Sequence, residues 1–267
     1  MAAVRPAAVA GLFYPQSPAA LAAQLRSWLT SATPDRATAG RTKAVIVPHA
    51  GYVYSGAIAA TAYRRLGEAH ADIERVVLLA PAHRVAVAGL ALPSVDAFET
   101  PLGAVELDRP ALAAALTLGP VTENDDAHAL EHSLEVQLPF LQSLLPRFRL
   151  VPFAVGDASP AEVAQVLELL WGGPETLIVV SSDLSHYHRY EEARAIDSSS
   201  ARTVLSLSPT LTYRQACGAM PINGLLTVAA HRAMEAEMLD LRNSGDTAGD
   251  RARVVGYGAF AFTEARG

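Results

Sequence analysis

A chain of 267 residues, 51% hydrophobic and only 18% charged, lies near the upper limit of what one hydrophobic core supports, and that composition excludes general disorder. The net charge of −6 comes with no Lys or Arg stripe able to neutralise several phosphates, which excludes nucleic acid as the expected partner. The single cysteine forms no internal disulfide, MAAVRPAAVAGLFYP is too broken by Arg5, Pro6 and Pro15 to read as a secretory signal, and no apolar run approaches the roughly 20 residues that cross a bilayer. The expectation is one domain spanning 1–267, soluble and cytoplasmic, with no membrane partner.

In chain order, the polar stretch from Thr30 to Thr42 reads as a loop, and AVIVP from Ala44 to Pro48 as a continuous apolar strand. Ser55 is the expected cap of a helix running from about Ala57 to Leu66. Arg75 to Pro81 is the next strand. Gly89 to Leu92 and Ala104 to Leu107 are expected as an antiparallel piece, followed by a helix from Arg109 to Leu118. A further helix is expected from Leu130 to Leu145, kinked or split by Pro139. Leu150 to Val155 is a strand, Pro160 opens a helix, and Leu177 to Ser182 is another strand. Helices are expected from Tyr190 to Ser206 and from Ile222 to Leu239, then a solvated loop from Leu241 to Asp250 and a closing β-segment from Arg253 to Phe262. Strands apolar at consecutive positions are buried on both faces. Their alternation with helices predicts a three-layer α/β/α fold around a mostly parallel central sheet.

Three apolar strands run into residues of metal-binding type: AVIVP into His49, VVLLAPA into His83, and LIVVSS into Asp183 and His186. In open parallel sheets ligands bind beyond the carboxyl ends of the strands, so one pocket is expected to collect all four. Imidazole and carboxylate bind first-row metals, and a site with two His and one anionic ligand keeps open positions. Cys217 lies in TYRQACGAMPING, whose Gly and Pro residues suit a loop carrying a functional group, and its thiolate beside two imidazoles favours Zn, Cu(I) or Fe(II) over Mg or Ca. The helical stretch EHSLE places His132 with Glu135, and Glu131 with Glu135, on one face that is expected to support the ligating imidazoles. It lacks the second histidine of HExxH. Tyr54, close after His49, is expected to line the pocket. His70, His128, His188 and His231 have no strand-end context and read as surface or capping residues. With no GxGxxG, GxxxxGK[ST] or GxSxG string, dinucleotide, nucleoside triphosphate and serine-hydrolase sites are not favoured.

The strings RPAAVAGLFYP, PHAGYVYSG, LLAPAHR, EHSLEVQLPFLQ, SSDLSHY, CGAMPINGLL and VVGYGAFAF, in this order from Arg5 to Phe262, resemble the Memo family, known in bacteria and archaea as AmmeMemoRadiSam system protein B. The resemblance implies a fold similar to class III extradiol dioxygenases, which hold a non-haem Fe(II) with two His and a carboxylate. His49 and His83 would match the histidines and Cys217 would occupy the remaining ligand region, with Asp183 and His186 lining the pocket. A thiol in place of the carboxylate changes charge and redox behaviour, so ring-opening activity is not implied. Animal members are associated with phosphotyrosine-dependent signalling, motility and binding of copper or iron. Prokaryotic members are typically encoded with a radical-SAM protein and a further system partner.

The leading expectation is a metal-dependent oxidoreductase acting on a small molecule. Its metal, Fe(II) or Cu with Zn as the alternative, is held by His49, His83 and Cys217, with His186 as acid or base and Asp183 orienting that imidazole or ligating directly. The alternative is a non-catalytic scaffold that binds a metal or a peptide and acts with partner proteins. A zinc hydrolase is a third reading.

Overall fold

The computed structural model describes residues 3–31, 41–66, 70 and 72–264, so most of the loop expected from Thr30 to Thr42 lies outside the described residues. Strand β1 (Val4–Arg5) and helix α1 (Pro18–Ser31) precede β2 (Thr42–Val47) and α2 (Tyr52–Tyr63). Then come β3 (Arg75–Pro81), β4 (Leu90–Leu92), β5 (Ala97–Thr100), β6 (Gly103–Glu106), α3 (Arg109–Ala115) and β7 (Val121–Glu123). Three short helices follow: α4 (Asp126–Ala129), α5 (His132–Glu135) and α6 (Leu138–Leu144). The chain continues through β8 (Arg149–Val155), α7 (Pro160–Leu170), β9 (Thr176–Ser181), β10 (His186–His188), α8 (Tyr190–Leu205), α9 (Ala219–His231), β11 (Glu235–Asn243) and β12 (Val254–Thr263).

The apolar runs TKAVIV and TLIVVS are buried at every position, and RVVLLAP and RLVPFAV at all but the first, as expected of strands covered on both faces. They are the parallel centre of a nine-stranded sheet in the order β10-β12-β2-β9-β3-β8-β4-β7, with β11 paired to β12. Antiparallel pairings flank that centre, β12 against β2 on one side and β4 against β8 on the other. Helices flank the sheet to give the three-layer α/β/α arrangement. In one outer group α7 packs on α9, which rests on β3 and β9; in the other α2 lies against β2 and β12 and is backed by α1 and α6. Gly56 lets α1 approach α2 closely, since a Cβ there would sit 2.4 Å from the Trp28 ring.

Local signals place several of these elements. Ser159 and Glu162 form a complete capping box ahead of Pro160, and the Asp108 carboxylate accepts the Ala111 N–H at the start of α3. Pro139 splits the stretch expected as one helix: α5 stops at Glu135, the residue whose carbonyl a continuous helix would offer to position 139 and whose place the proline ring would crowd.

Four expectations are corrected. Helix α2 starts at Tyr52 after Gly51, and Ser55 sits inside it, its hydroxyl donating to the Ala50 carbonyl; the helix begins early because the Tyr52 N–H finds the Phe13 carbonyl. The strands near Leu90 and Val105 both form but do not pair with one another, since β4 joins β7 and β8 whereas β6 joins β5 and β1 in a separate three-stranded sheet. The helix expected to reach Leu239 ends at His231. Ala233, in the left-handed region at φ 50, reverses the chain, and EAEMLDLRN pairs along β12 despite its helix-forming composition. That strand also takes the first residues of the loop expected from Leu241.

Candidate metal centre

Because β2, β9 and β3 are parallel neighbours, their carboxyl ends lie side by side, and the residues that follow them converge. His49 follows β2, His83 follows β3 and Asp183 follows β9. His132, expected only as a supporting residue, stands among the ligand candidates. The ring centroids are 5.2 Å apart for His49 and His83, 5.5 Å for His49 and His132, and 4.8 Å for His83 and His132. One ring nitrogen from each of the three lies within 4.8 Å of the others.

The surrounding hydrogen bonds fix which nitrogens are offered. The Ser181 hydroxyl has one proton, which it donates to the Ser133 carbonyl at 2.7 Å, and it accepts the Gln137 Nε2–H at 2.8 Å. Gln137 is held in that orientation because Nε2 also donates to the Pro48 carbonyl while Oε1 accepts from Tyr63. Ser181 therefore meets His49 Nδ1, 3.0 Å away, as an acceptor. His49 carries its proton on Nδ1 and turns the Nε2 lone pair outward. Burial, followed by the neighbouring His83 and His132 rings, holds this imidazole well below its ordinary pKa and keeps it neutral.

Glu131 does the same for His83. Burial pushes its carboxyl up, but hydrogen bonds from the His83 ring and backbone and from the Ser133 N–H help to outweigh that and hold it at about 2. The ionised carboxylate accepts the His83 backbone N–H at 2.6 Å and Nδ1–H at 3.0 Å, leaving Nε2 bare. His132 Nδ1 lies 3.2 Å from the same carboxylate, within ion-pair range but off the line of a hydrogen bond, and is buried without a hydrogen-bond partner. Burial lowers the His132 pKa to about 4.

Cys217 Sγ lies 3.3 Å from His49 Nε2. Its loop is drawn onto the end of β9 by the Cys217 N–H on the Asp183 carbonyl and the Gly218 N–H on the Ser182 hydroxyl. Gly218 permits that approach, since a Cβ there would meet the Ser182 side chain at 2.7 Å. Burial, then the Asp183 charge, pushes the thiol up to about 12, so a protonated Sγ faces the bare nitrogen of His49. Asp183 Oδ1 accepts the His49 N–H at 2.8 Å; burial pushes this carboxyl to about 6 against that bond and the His186 ring. His186 Nδ1–H donates to the Leu184 carbonyl at 2.8 Å, which leaves its Nε2 as an acceptor.

A cavity of about 1080 Å³ opens above these groups and is lined by His49, His83, His132, Asp183, His186 and Cys217, with Tyr54 on its wall. Glu135 makes no contact with the imidazoles: its carboxylate accepts from Arg5 Nη1 at 2.7 Å, from the Ala8 and Val9 N–H groups and from the Tyr14 hydroxyl. The supporting role expected of Glu135 falls to Glu131 instead, because the short helix α5 begins at His132 and Glu131, its N-cap, swings toward His83. His70 and His128, read as surface residues, are buried with Nε2 on the Thr42 and Ala91 carbonyls, and His188 lines the cavity. Sequence reasoning also passed over Ser181, Gln137 and Phe13. Ser181 immediately precedes Ser182 and Asp183 at a strand end already singled out, whereas Phe13, whose ring lies 4.7 Å from that of His132, carries no local signal.

Comparison with known proteins identifies a family. The family profile described as Memo-like protein matches residues 5–261. A MEMO1 family protein of Aquifex aeolicus is 37% identical over 273 residues, covering 97% of this chain and 99% of that protein. One from Archaeoglobus fulgidus is 36% identical over 275 residues, with 95% and 97% covered, and one from Methanosarcina barkeri is also 36% identical, with 96% and 99% covered. Matches of this extent include His49, His83 and His132, and the chain belongs to the Memo family.

Proposed function

We propose that the chain binds a transition-metal ion through His49, His83 and His132, with Cys217 as a further donor, and acts as an oxidoreductase on a small molecule admitted by the cavity. The observation that carries this reading is the set of locked tautomers: Ser181 and Glu131 hold the inner nitrogens of His49 and His83 and leave the outer ones toward the cavity, in a cluster whose ligand nitrogens lie within 4.8 Å of one another. The His49 lone pair meets only the Cys217 thiol and that of His83 is open to the cavity, so one cation can take both. Neutral imidazoles with a nearby thiol suit iron, copper or zinc and exclude magnesium and calcium as preferred ions. When bound, an iron or copper ion supplies Lewis acidity and electron exchange, and zinc only the former.

The remaining chemistry belongs to the chain. His186 presents Nε2 to the cavity and takes a proton from a bound substrate, with its ring held by the Leu184 carbonyl. Asp183 fixes the backbone at His49 and stabilises the imidazolium that forms. No helix among the described residues is long and apolar enough to cross a membrane, which fits a ligand arriving from water.

The test is metal content after anaerobic purification without chelator. Near-stoichiometric iron, copper or zinc is expected in the parent and none in the His49→Ala/His83→Ala variant, with Cys217→Ser altering the optical spectrum of the bound metal. A parent that holds no metal and takes up none on titration with Fe(II), Cu(I) or Zn(II) sinks the proposal.

A further inference from the structure

We propose that Asp197 is the positioning residue of His186: a buried carboxylate brought in by helix α8 pins the turn between β9 and β10, so that His186 keeps its proton on Nδ1 and offers Nε2 to the cavity. The use of that nitrogen as a proton acceptor rests on the function proposed above, whereas the positioning itself depends on no metal.

Asp197 is 2% exposed, and among the described residues no salt bridge engages it. A carboxylate is costly to bury without a countercharge, and burial pushes this one up to about 6 against the bond from the Ser185 N–H. That bond is 3.0 Å long, from the Ser185 N–H to Asp197 Oδ1. Helix α8 packs against β10, β11 and β12, and β12 makes room for the carboxylate by omitting a side chain: a Cβ at Gly256 would lie 2.0 Å from Asp197 Oδ2. Gly256 also supplies two backbone restraints. Its carbonyl accepts the Leu184 N–H at 2.8 Å, and its N–H donates to the Ser185 carbonyl at 2.8 Å. Three hydrogen bonds thus hold the two residues ahead of His186, and the Leu184 carbonyl is left to accept the His186 Nδ1–H at 2.8 Å.

The residues that follow show what the restraint is for. Strand β10 pairs with β12 through a register shift between His186 and His188, and Tyr187, at the shift, adopts φ 63, a left-handed conformation that a bulky residue keeps only where its surroundings over-determine it. The shift lets His186, Tyr187 and His188 all border the cavity rather than alternate across the strand. Ser185 is the last residue before this stretch, and Asp197 supplies the side-chain hydrogen bond to its backbone. Without that bond the shift can relax, and the His186 ring loses its fixed relation to the Leu184 carbonyl.

The full-length, metal-free chain, labelled with 15N at the histidine rings, would be observed by NMR at about pH 8.5, where free imidazole is neutral, with His186→Asn identifying the His186 signals. The parent is expected to show His186 as a single Nδ1–H tautomer. Asp197→Ala is expected to lose it, the ring moving toward the Nε2–H form that free histidine favours. Asp197→Leu, which fills the space without an acceptor, should behave in the same way and serves if the alanine variant does not fold. Asp197→Asn keeps an acceptor of the same shape and is expected to hold the parental tautomer. Backbone amide spectra unchanged away from α8 and β10 report that each variant is folded. An unchanged His186 tautomer in the folded alanine or leucine variant would overturn the positioning role. So would an equal loss in Asp197→Asn, which would assign the effect to charge rather than to the hydrogen bond. Zinc titration of the same samples separates the two readings: no zinc uptake with the expected tautomer response sinks the metal site and leaves the positioning role standing, whereas parental uptake with an unresponsive tautomer does the reverse.

Discussion

Two carboxylates four residues apart, Glu131 and Glu135, organise two neighbouring regions of the molecule in opposite ways. Both oxygens of the Glu135 carboxylate find partners. Arg5 supplies the countercharge, two backbone N–H groups and the Tyr14 hydroxyl fill the remaining lone pairs, and Arg5 spends its other donors on the His128 and Glu131 carbonyls. Around Glu131 the network stops short: it holds the inner nitrogen of His83, and the outer nitrogen is left for something that is not protein. Both carboxylates are almost fully buried, so exposure does not separate them. What separates them is whether the hydrogen-bond network closes. A closed buried network holds the chain in place; one that ends in bare imidazoles facing a cavity is prepared for a ligand.

The sharpest way to break the comparison is to open the closed network. Glu135→Ala strands the Arg5 guanidinium, with a side chain only 4% exposed, and is expected to lower unfolding stability by about 3–5 kcal/mol in denaturant titration. Metal uptake by the fraction that remains folded should be close to parental. If stability barely changes, the Arg5–Glu135 pair does not hold the N-terminal segment, and the contrast between the two regions fails.

The central sheet was legible in the sequence because strands buried on both faces write themselves as uninterrupted apolar runs, and β2, β3, β8 and β9 appear within a residue or two of their expected limits. Strand β11 was not legible. Its composition favours a helix, and only the pairing with β12, set by the turn at Ala233, decides its conformation. For the site, strand ends pointed to His49, His83, Asp183 and His186, since the parallel order turns three separate positions into neighbours. The part that stayed hidden is the wiring. Ser181 contacts Ser133 and His49 across separations of 48 and 132 residues, and no local pattern reports such a meeting. Glu131 and Glu135 share a helical period on paper, but the break of α5 at both ends sends one toward His83 and the other toward Arg5.

A smaller effect is expected from Glu131→Gln, which keeps an acceptor but removes the charge that fixes His83. Metal affinity should fall roughly 10–100-fold in a competitive chelator titration, the usual range for partners that orient a ligating imidazole. The same variant tests the acid limb of stability in metal-free protein. The folded Glu131 pKa of about 2 lies below its model-peptide value of 4.5, so its contribution is complete above pH 4.5 and is lost as pH falls toward 2. That contribution is on the order of 3 kcal/mol, and Glu131→Gln should flatten the parent's decline across the window. An unchanged acid limb would mean that Glu131 is not the ionised anchor of His83.

The smallest change asks whether the two regions are independent. Tyr14→Phe removes one hydrogen bond, 2.5 Å from hydroxyl to Glu135 Oε1, while Arg5 and the Ala8 and Val9 N–H groups still hold the carboxylate. A bond to a charged acceptor with other donors remaining is expected to be worth about 1–2 kcal/mol in unfolding stability. Burial and then the Glu135 charge already raise the Tyr14 hydroxyl pKa above its ordinary value, so the bond is a proton donor's at any working pH and the loss should not vary between pH 6 and 9, roughly the window in which phenols and carboxylates hold fixed charge states. Metal affinity should stay at the parental value. Tyr14 is adjacent to Phe13, whose ring rests against His132, so a measurable drop in metal affinity on Tyr14→Phe would mean that the closed network sets the position of the open one and that the two regions act as a single unit.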